Sequence, residues 1–372
     1  MRRLFIRIHF WLSLPVGLII SIVCLTGAVL SFQDEILELI YPERYYIEET
    51  KGLKPLSLEE LVILANQQLR NNSVVSIQIP SDRERTYTLG LKEGGRISAF
   101  LNPYSGEITG LFSYSESFFF KMMALHRWLM DGSRTVGKVT VGISTIFFIL
   151  IFITGIFIWI PANKRRWRHS FRVYISMGII RFLRDIHTTL GMYAFLLLLM
   201  CSLTGLMWSF EGYRTSIFSL FGVDVSQTTH RGGHGGEGNH QAQDHNVNFA
   251  QWDKVFTQLA EGNPEYKYIR IQDKSATVLA AEVDHNRATD RYEFNEHTGE
   301  IVSSSFYRET KSSSKVMTWA YALHVGTYWG FYGKLITCIA SLTGASLPIT
   351  GYYMYFVRKR AAYRYQKQLK VV

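Results

Sequence analysis

Cysteine is scarce: only Cys24, Cys201 and Cys338 occur in 372 residues. All three fall inside long apolar runs, so no disulfide stabilises the polar segments between those runs. Each reads as a small buried apolar residue. Charge is missing altogether from 10–32, 139–160, 190–210 and 335–357. Each of these runs exceeds the roughly 20 residues with which a helix crosses a hydrocarbon core of about 30 Å. A helix also satisfies its own backbone there. The sequence therefore predicts four transmembrane helices. Arg2, Arg3 and Arg7 precede the first run, as in a signal peptide. The length of that run and the lack of an A-x-A site after it predict a retained anchor instead.

Acid is nearly absent from three further segments. Stretches 1–9, 161–189 and 358–372 hold 16 basic residues against Asp185 alone, a net +15 where the whole chain is +10. The rest of the chain is left at −5. By the positive-inside rule these three segments are cytoplasmic, and the two long segments, about 33–136 and 211–332, lie outside. The basic excess is thus a topology signal, with anionic lipid as a contact. It is not a nucleic-acid footprint.

What is present is a repeat. CLTGAVLSF (24–32) matches SLTGLMWSF (202–210), and in each the threonine stands 17 residues after a histidine, His9 to Thr26 and His187 to Thr204. GKVTVGISTIFFILIFITG (137–155) aligns without a gap on GKLITCIASLTGASLPITG (333–351). Each follows a histidine in an aromatic stretch, ALHRWLMDG with His126 and ALHVGTYWG with His324. The outer segments echo one another as well. NPYSGEI (102–108) matches NEHTGEI (295–301), each a Gly-closed turn between short alternating strands such as RTYTLGL and RYEFN. The chain reads as two tandem copies of helix, outer α+β module, helix, and parallel repeats of this kind build known membrane proteins.

The order of these pieces resembles the PepSY-associated transmembrane family, iron-regulated membrane proteins that include inner-membrane ferric-siderophore reductases. The resemblance rests on H-x16-T-G in helices one and three, the N-x-x-[ST]-G-E-I hairpins and the I-T-G of helices two and four. It covers nearly the whole chain. It implies PepSY-type outer modules, bound b-type haem, and a bacterial inner membrane with the modules in the periplasm. On that reading 1–33 is transmembrane helix one and 34–116 the first module. An interfacial helix follows at 117–136, then helix two at 137–161 and a cytoplasmic loop at 162–184. Helix three is 185–210, and the second module is 211–313 with a His/Gly-rich loop at 230–245. An interfacial helix at 314–332, helix four at 333–357 and a cytoplasmic tail at 358–372 complete the chain.

The topology puts His9 and His187 at the inner ends of helices one and three. His126 and His324 come just before helices two and four on the outer side. One pair per membrane face, with one member from each copy, is what two bis-histidine haems require. His9 to Gly27, His187 to Gly205, Gly137 to Gly155 and Gly333 to Gly351 are each 18 residues. Eighteen residues make five helical turns. The face that carries histidine at one level thus shows Gly27 or Gly205 at the other, and Gly155 and Gly351 fall near the inner pair. Small residues relieve the edge of a flat macrocycle, although they serve helix packing equally well. No C-x-x-C-H exists, so the haems are non-covalent. Arg184, Arg7, Arg127, Arg134, Lys138 and Lys334 are cations for propionates, or charges that set topology and snorkel. The tract HRGGHGGEGNHQAQDH reads as a flexible insertion or as a metal trap.

Two haems across a membrane form an electron path, directed outward. Without a cytoplasmic domain or a G-x-G-x-x-G after a strand, the donor is quinol or a separate flavin reductase. The acceptor expected is a ferric siderophore or other ferric chelate, because reduction weakens iron's bonds to hard oxygen ligands. FSYSESFFF and YWGFYG are a docking surface or an interfacial aromatic belt. A non-enzymatic regulator of a peptidase explains the hairpins but not the matched histidines. A transporter of chelated iron lacks intramembrane ionisable residues.

Overall fold

A computed structural model of the chain describes residues 1–48, 52–69, 72–93, 96–161, 167–222, 247–280, 285, 287–310 and 312–369. The tract 230–245 lies outside them. In chain order the main elements begin with α1 (Arg2–Ser31), α2 (Leu58–Gln68), β1 (Val74–Pro80), β2 (Tyr87–Leu91), β3 (Ile97–Leu101) and β4 (Ile108–Ser113). Then come α3 (Phe118–Trp128), α4 (Val136–Trp159), α5 (Ile179–Ser209) and α6 (Trp252–Gly262). The chain continues with β5 (Tyr266–Gln272), β6 (Ser275–Ala280), β7 (Thr289–Phe294), β8 (Ile301–Ser305), α7 (Ser312–Val325) and α8 (Gly330–Leu369). The contacts divide the chain into two compact units. One is Met1–Ser31 with Lys121–Ile217 and Leu323–Val372; the other is Phe32–Phe120 with Phe218–Ala322.

The first unit holds the four helices that are long and apolar enough to cross a membrane, α1, α4, α5 and the span Thr327–Arg360 that includes most of α8. Val16 and Ile20 of α1, Phe148, Ile151 and Phe152 of α4, Ala194 and Leu198 of α5 and Ala340 of α8 form its buried cluster. Around Pro15 of α1, Tyr352 Oη of α8 donates to the carbonyls of Ser13 (3.2 Å) and Leu14 (2.8 Å). A Cβ at Gly17 would overlap that hydroxyl, so this crossing requires glycine.

Two helix bounds differ from the sequence reading. Helix three starts at Ile179 rather than 185. Arg181 and Arg184 look like loop charges, but Asp185 accepts from Arg181 Nε at 2.8 Å, an i,i+4 pair that suits a helix. A π turn, Ile186–Leu190, interrupts this helix. Helix four runs on to Leu369 through the predicted tail.

Between α3 and α4 the chain turns sharply, with Leu129, Met130 and Arg134 at φ 53°, 59° and 55°. Asp131 holds the turn. Its carboxylate accepts from the backbone N–H of Gly137 (2.9 Å), Ser133 (3.1 Å) and Thr135 (3.1 Å) and from Ser133 Oγ (2.8 Å). These bonds, that from Gly137 foremost, hold the carboxyl pKa below its ordinary 3.8. A depressed folded-state pKa means the contribution is complete above 3.8 and is lost as pH falls through the folded value. Asp131→Ala is therefore expected to speed amide exchange at Thr135 and Gly137 at pH 7, a loosening that wild type shows only in acid. Equal exchange in the two proteins would refute this.

The second unit is one antiparallel sheet in the order β4-β3-β2-β1-β5-β6-β7-β8. The two outer modules are thus not separate bodies. Each supplies four strands, and β1 pairs with β5 at the seam, Ile77 opposite Ile271 and Ile79 opposite Ile269. Alternation puts Ile77, Ile79, Leu89, Leu101, Ile269, Ile271 and Val278 on one face. That face is buried with Leu61 and Val62 of α2 and Trp252, Val255 and Leu259 of α6. Helix α2 opens on an N-cap, Ser57 Oγ accepting from Glu60 N at 3.2 Å. Asp253 Oδ1 of the other module accepts from Leu58 N at 2.8 Å. The hairpin turns match: Gly106 (φ 73°) donates to Asn102 O and Gly299 (φ 67°) to Asn295 O. Only a residue without Cβ takes that φ freely.

Candidate functional site

All four histidines lie in the helical unit, and each is tied to a T-G motif on another helix. His9 of α1 places Nδ1 3.1 Å from Ile151 O and 3.0 Å from Thr154 Oγ1 of α4. His187 of α5 places Nδ1 3.0 Å from Leu347 O and 3.0 Å from Thr350 Oγ1 of α8. His126 of α3 reaches Val23 O (2.8 Å) and Thr26 Oγ1 (3.3 Å) of α1. His324 of α7 reaches Cys201 O (3.0 Å) and Thr204 Oγ1 (3.0 Å) of α5. The same arrangement occurs four times, once per helix.

The bonds fix the tautomer. A carbonyl oxygen only accepts, so Nδ1 carries the proton and donates it. The threonine hydroxyls spend their own protons on helix carbonyls, as Thr26 does on Ile22 O (2.7 Å) and Thr204 on Met200 O (2.8 Å). Each Nε2 is left with a lone pair, the form in which imidazole binds a metal.

The adjacent glycine lets the ring in. A Cβ built at Gly27 would stand 3.0 Å from His126 Cε1, at Gly205 3.3 Å from His324 Cε1, and at Gly155 and Gly351 3.5 Å from His9 and His187 Cε1. The relief these glycines give is to an imidazole from another helix.

The rings then meet in pairs. His9 and His187 have centroids 6.3 Å apart with planes at 76°, and His126 and His324 have centroids 6.0 Å apart at 70°. Trp208 adjoins His324 at 5.3 Å. Along α1 the two levels are separated by the 17 residues from His9 to Thr26, about 25 Å of helix rise. Among the described residues no group of three or more His, Cys, Asp or Glu is placed to hold a metal ion. The pairs stand alone.

The remaining sequence-predicted residues fall as follows. Arg184 Nε is 3.7 Å from Asp185 Oδ1, a carboxylate that also accepts from Tyr174 N at 3.3 Å. The Arg127 guanidinium lies 5.6 Å from the Trp128 ring centre, and that of Arg134 lies 4.7 Å from it on the same side chain. His285 is in the sheet unit, 3.2 Å from Tyr307 Oη, and His297 is exposed beside Glu296. Thr26, Thr154, Thr204 and Thr350 were missed as partners of the rings. Their signal was the recurrence of T-G in all four apolar runs.

The profile of one family, the PepSY-associated TM region, matches residues 6–358, nearly the whole chain. No curated protein matches the chain at a significant level.

Proposed function

We propose, from the premise that this chain belongs to the PepSY-associated transmembrane family, that it is a two-haem membrane oxidoreductase. It carries electrons outward to a ferric chelate. The observation that carries this reading is the fourfold cradle with its two histidine pairs. Two imidazoles bound end-on, each about 2 Å from one metal with a ring radius of about 1.2 Å, have centroids about 6.4 Å apart. The distances of 6.3 Å and 6.0 Å fit that arrangement. A bare cation between two histidines would lack further ligands, whereas a tetrapyrrole would bring four nitrogens of its own and would be held by the two imidazoles.

His9 with His187, and His126 with His324, would hold the two groups. Bound haem supplies reversible one-electron chemistry at iron. The chain's own residues do the rest. The carbonyl and threonine acceptors orient each ring, keep Nδ1 protonated and raise the basicity of Nε2. Gly27, Gly205, Gly155 and Gly351 admit the rings, and the cations Arg184 and Arg127 would meet propionates. With the basic segments in the cytoplasm of a bacterial inner membrane, the sheet unit is periplasmic and meets the chelate. The donor is quinol or a soluble flavin reductase. A peptidase regulator uses the sheet but gives no reason for four histidines held in one tautomer.

The test is stopped-flow absorbance on dithionite-reduced protein in detergent. Reoxidation is expected to accelerate with ferric siderophore concentration and to yield iron(II), trapped by ferrozine. His324→Ala should abolish this while leaving the inner group reducible. Reoxidation by oxygen alone, indifferent to several ferric chelates, would overturn the assignment of substrate.

A further inference from the structure

Residue pairing across the sheet exposes one row whose two halves differ in charge. On the face opposite α2 and α6, strand pairing aligns Gly110, Phe100, Thr88 and Gln78 in the first module and Arg270, Thr277, Arg291 and Ser305 in the second. The seam lies between Gln78 and Arg270. Counting strands outward from it, Gln78 and Arg270 face each other, Thr88 and Thr277 come next and Phe100 and Arg291 third, although the hairpin repeat makes Glu293 the counterpart of Phe100. In the first module this row is uncharged and its end is closed: Phe100 is buried, with Tyr45 at 4.7 Å and the Arg44 guanidinium at 5.8 Å. In the second module the first and third places carry two exposed guanidinium groups.

Neither arginine forms an ion pair among the described residues. Arg270 Nη2 donates to Gln78 Oε1 at 2.6 Å, a bond that uses one of the guanidinium's five N–H donors. Arg291 has no hydrogen bond to another described residue. Glu293, two residues on along β7 and on the same face, accepts instead from Ser303 Oγ at 3.1 Å. Strands stand about 4.8 Å apart, so the two Cα atoms are about 10 Å apart with Thr277 between them. Two side chains of arginine length can converge over that threonine. Planar forks with five N–H donors each match anionic oxygens. An opposite charge across the strand stabilises a sheet, and this row omits one.

We infer that Arg270 and Arg291, with Thr277 and Gln78, form a docking site for an oxyanionic metal chelate, one whose carboxylate or catecholate oxygens carry net negative charge. The inference deepens the reading of the chain as a ferric-chelate reductase and rests on it for the identity of the occupant. It assigns recognition to the second module alone, and it assigns selectivity for anionic over cationic chelates.

The test uses full-length protein in detergent and gallium(III) citrate, a redox-inert stand-in for the ferric complex, with binding followed by calorimetry. Wild type is expected to bind it and to bind more weakly as ionic strength rises. Arg270→Gln with Arg291→Gln, which gives the row the uncharged character of the first module, should weaken binding at least tenfold. Arg270→Lys with Arg291→Lys should recover part of the loss. A cationic gallium hydroxamate should bind neither protein in preference. Unchanged thermal unfolding of the double variant certifies its fold. Equal affinity of wild type and double variant, or competition by inorganic phosphate as strong as by the chelate itself, would overturn the assignment. The two readings fail separately. Binding lost in the variant from a protein without haem leaves the docking site and removes the reductase. Ferric reduction with unaltered gallium binding removes only the docking site.

Discussion

Full-length protein purified from haem-supplied cells is expected to carry two b-type haems per chain, and His187→Ala to carry one. The reason is local. Removing the His187 imidazole leaves His9 facing an empty position 6.3 Å away and does not touch the His126–His324 pair. His9→Ala and His187→Ala should delete the same spectral component, and His126→Ala and His324→Ala the other. A pyridine haemochrome assay against quantified protein gives the ratio, and difference spectra give the pairing. A ratio near zero in freshly prepared protein would remove the electron-transfer reading. Loss of one common component in His9→Ala and His126→Ala would break the pairing.

Gly27→Val is expected to empty the site of His126 and His324 while leaving the other filled. The Cβ alone stands 3.0 Å from His126 Cε1, closer than side chains ordinarily pack, and valine adds two methyl groups beyond it. Overpacking of this kind costs about 1–3 kcal/mol, which is roughly 5- to 150-fold in occupancy. Gly155→Ala should be nearly silent, because its Cβ would sit 3.5 Å from His9 Cε1, an ordinary contact. Haem retention after gel filtration reads both variants. A full complement in Gly27→Val would show that the ring is free to move aside, and the cradle would then not fix it.

Much of the helical unit could be read from residue spacing. Runs free of charge mark the four membrane helices, and H-x16-T-G marks the level of each histidine. The partner of each ring could not be read that way. Val23, Ile151, Cys201 and Leu347 contribute only a carbonyl, which any residue type offers, so no side chain advertises the bond. The threonines were visible as a motif but not as acceptors, since their role appears only when another helix is laid beside them. The seam between β1 and β5 was equally hidden. VVSIQIP and YKYIRIQ each alternate as half-buried strands, and nothing within either names the other as neighbour. The early start of helix three was obscured because Arg181 and Arg184 serve a loop and a helix equally well until Asp185 is seen to be buried.

The histidines have a distribution that bears on the molecule's origin. His9 and His126 hang on α4 and α1, and His187 and His324 on α8 and α5. Each copy therefore aligns its own two rings without help from the other, yet contributes only one ring to each pair. The β1–β5 seam is antiparallel, the pairing that two identical strands make about a twofold axis. A polypeptide of half this length, associating with itself, would already have possessed both clamps and one continuous sheet. The present chain is in that sense a covalently fused homodimer. What fusion adds is freedom for the halves to differ, and the contrast between Gln78 and Arg270, which face each other across the seam, is one difference that a self-associating ancestor, obliged to carry the same residue on both sides, had no means to make.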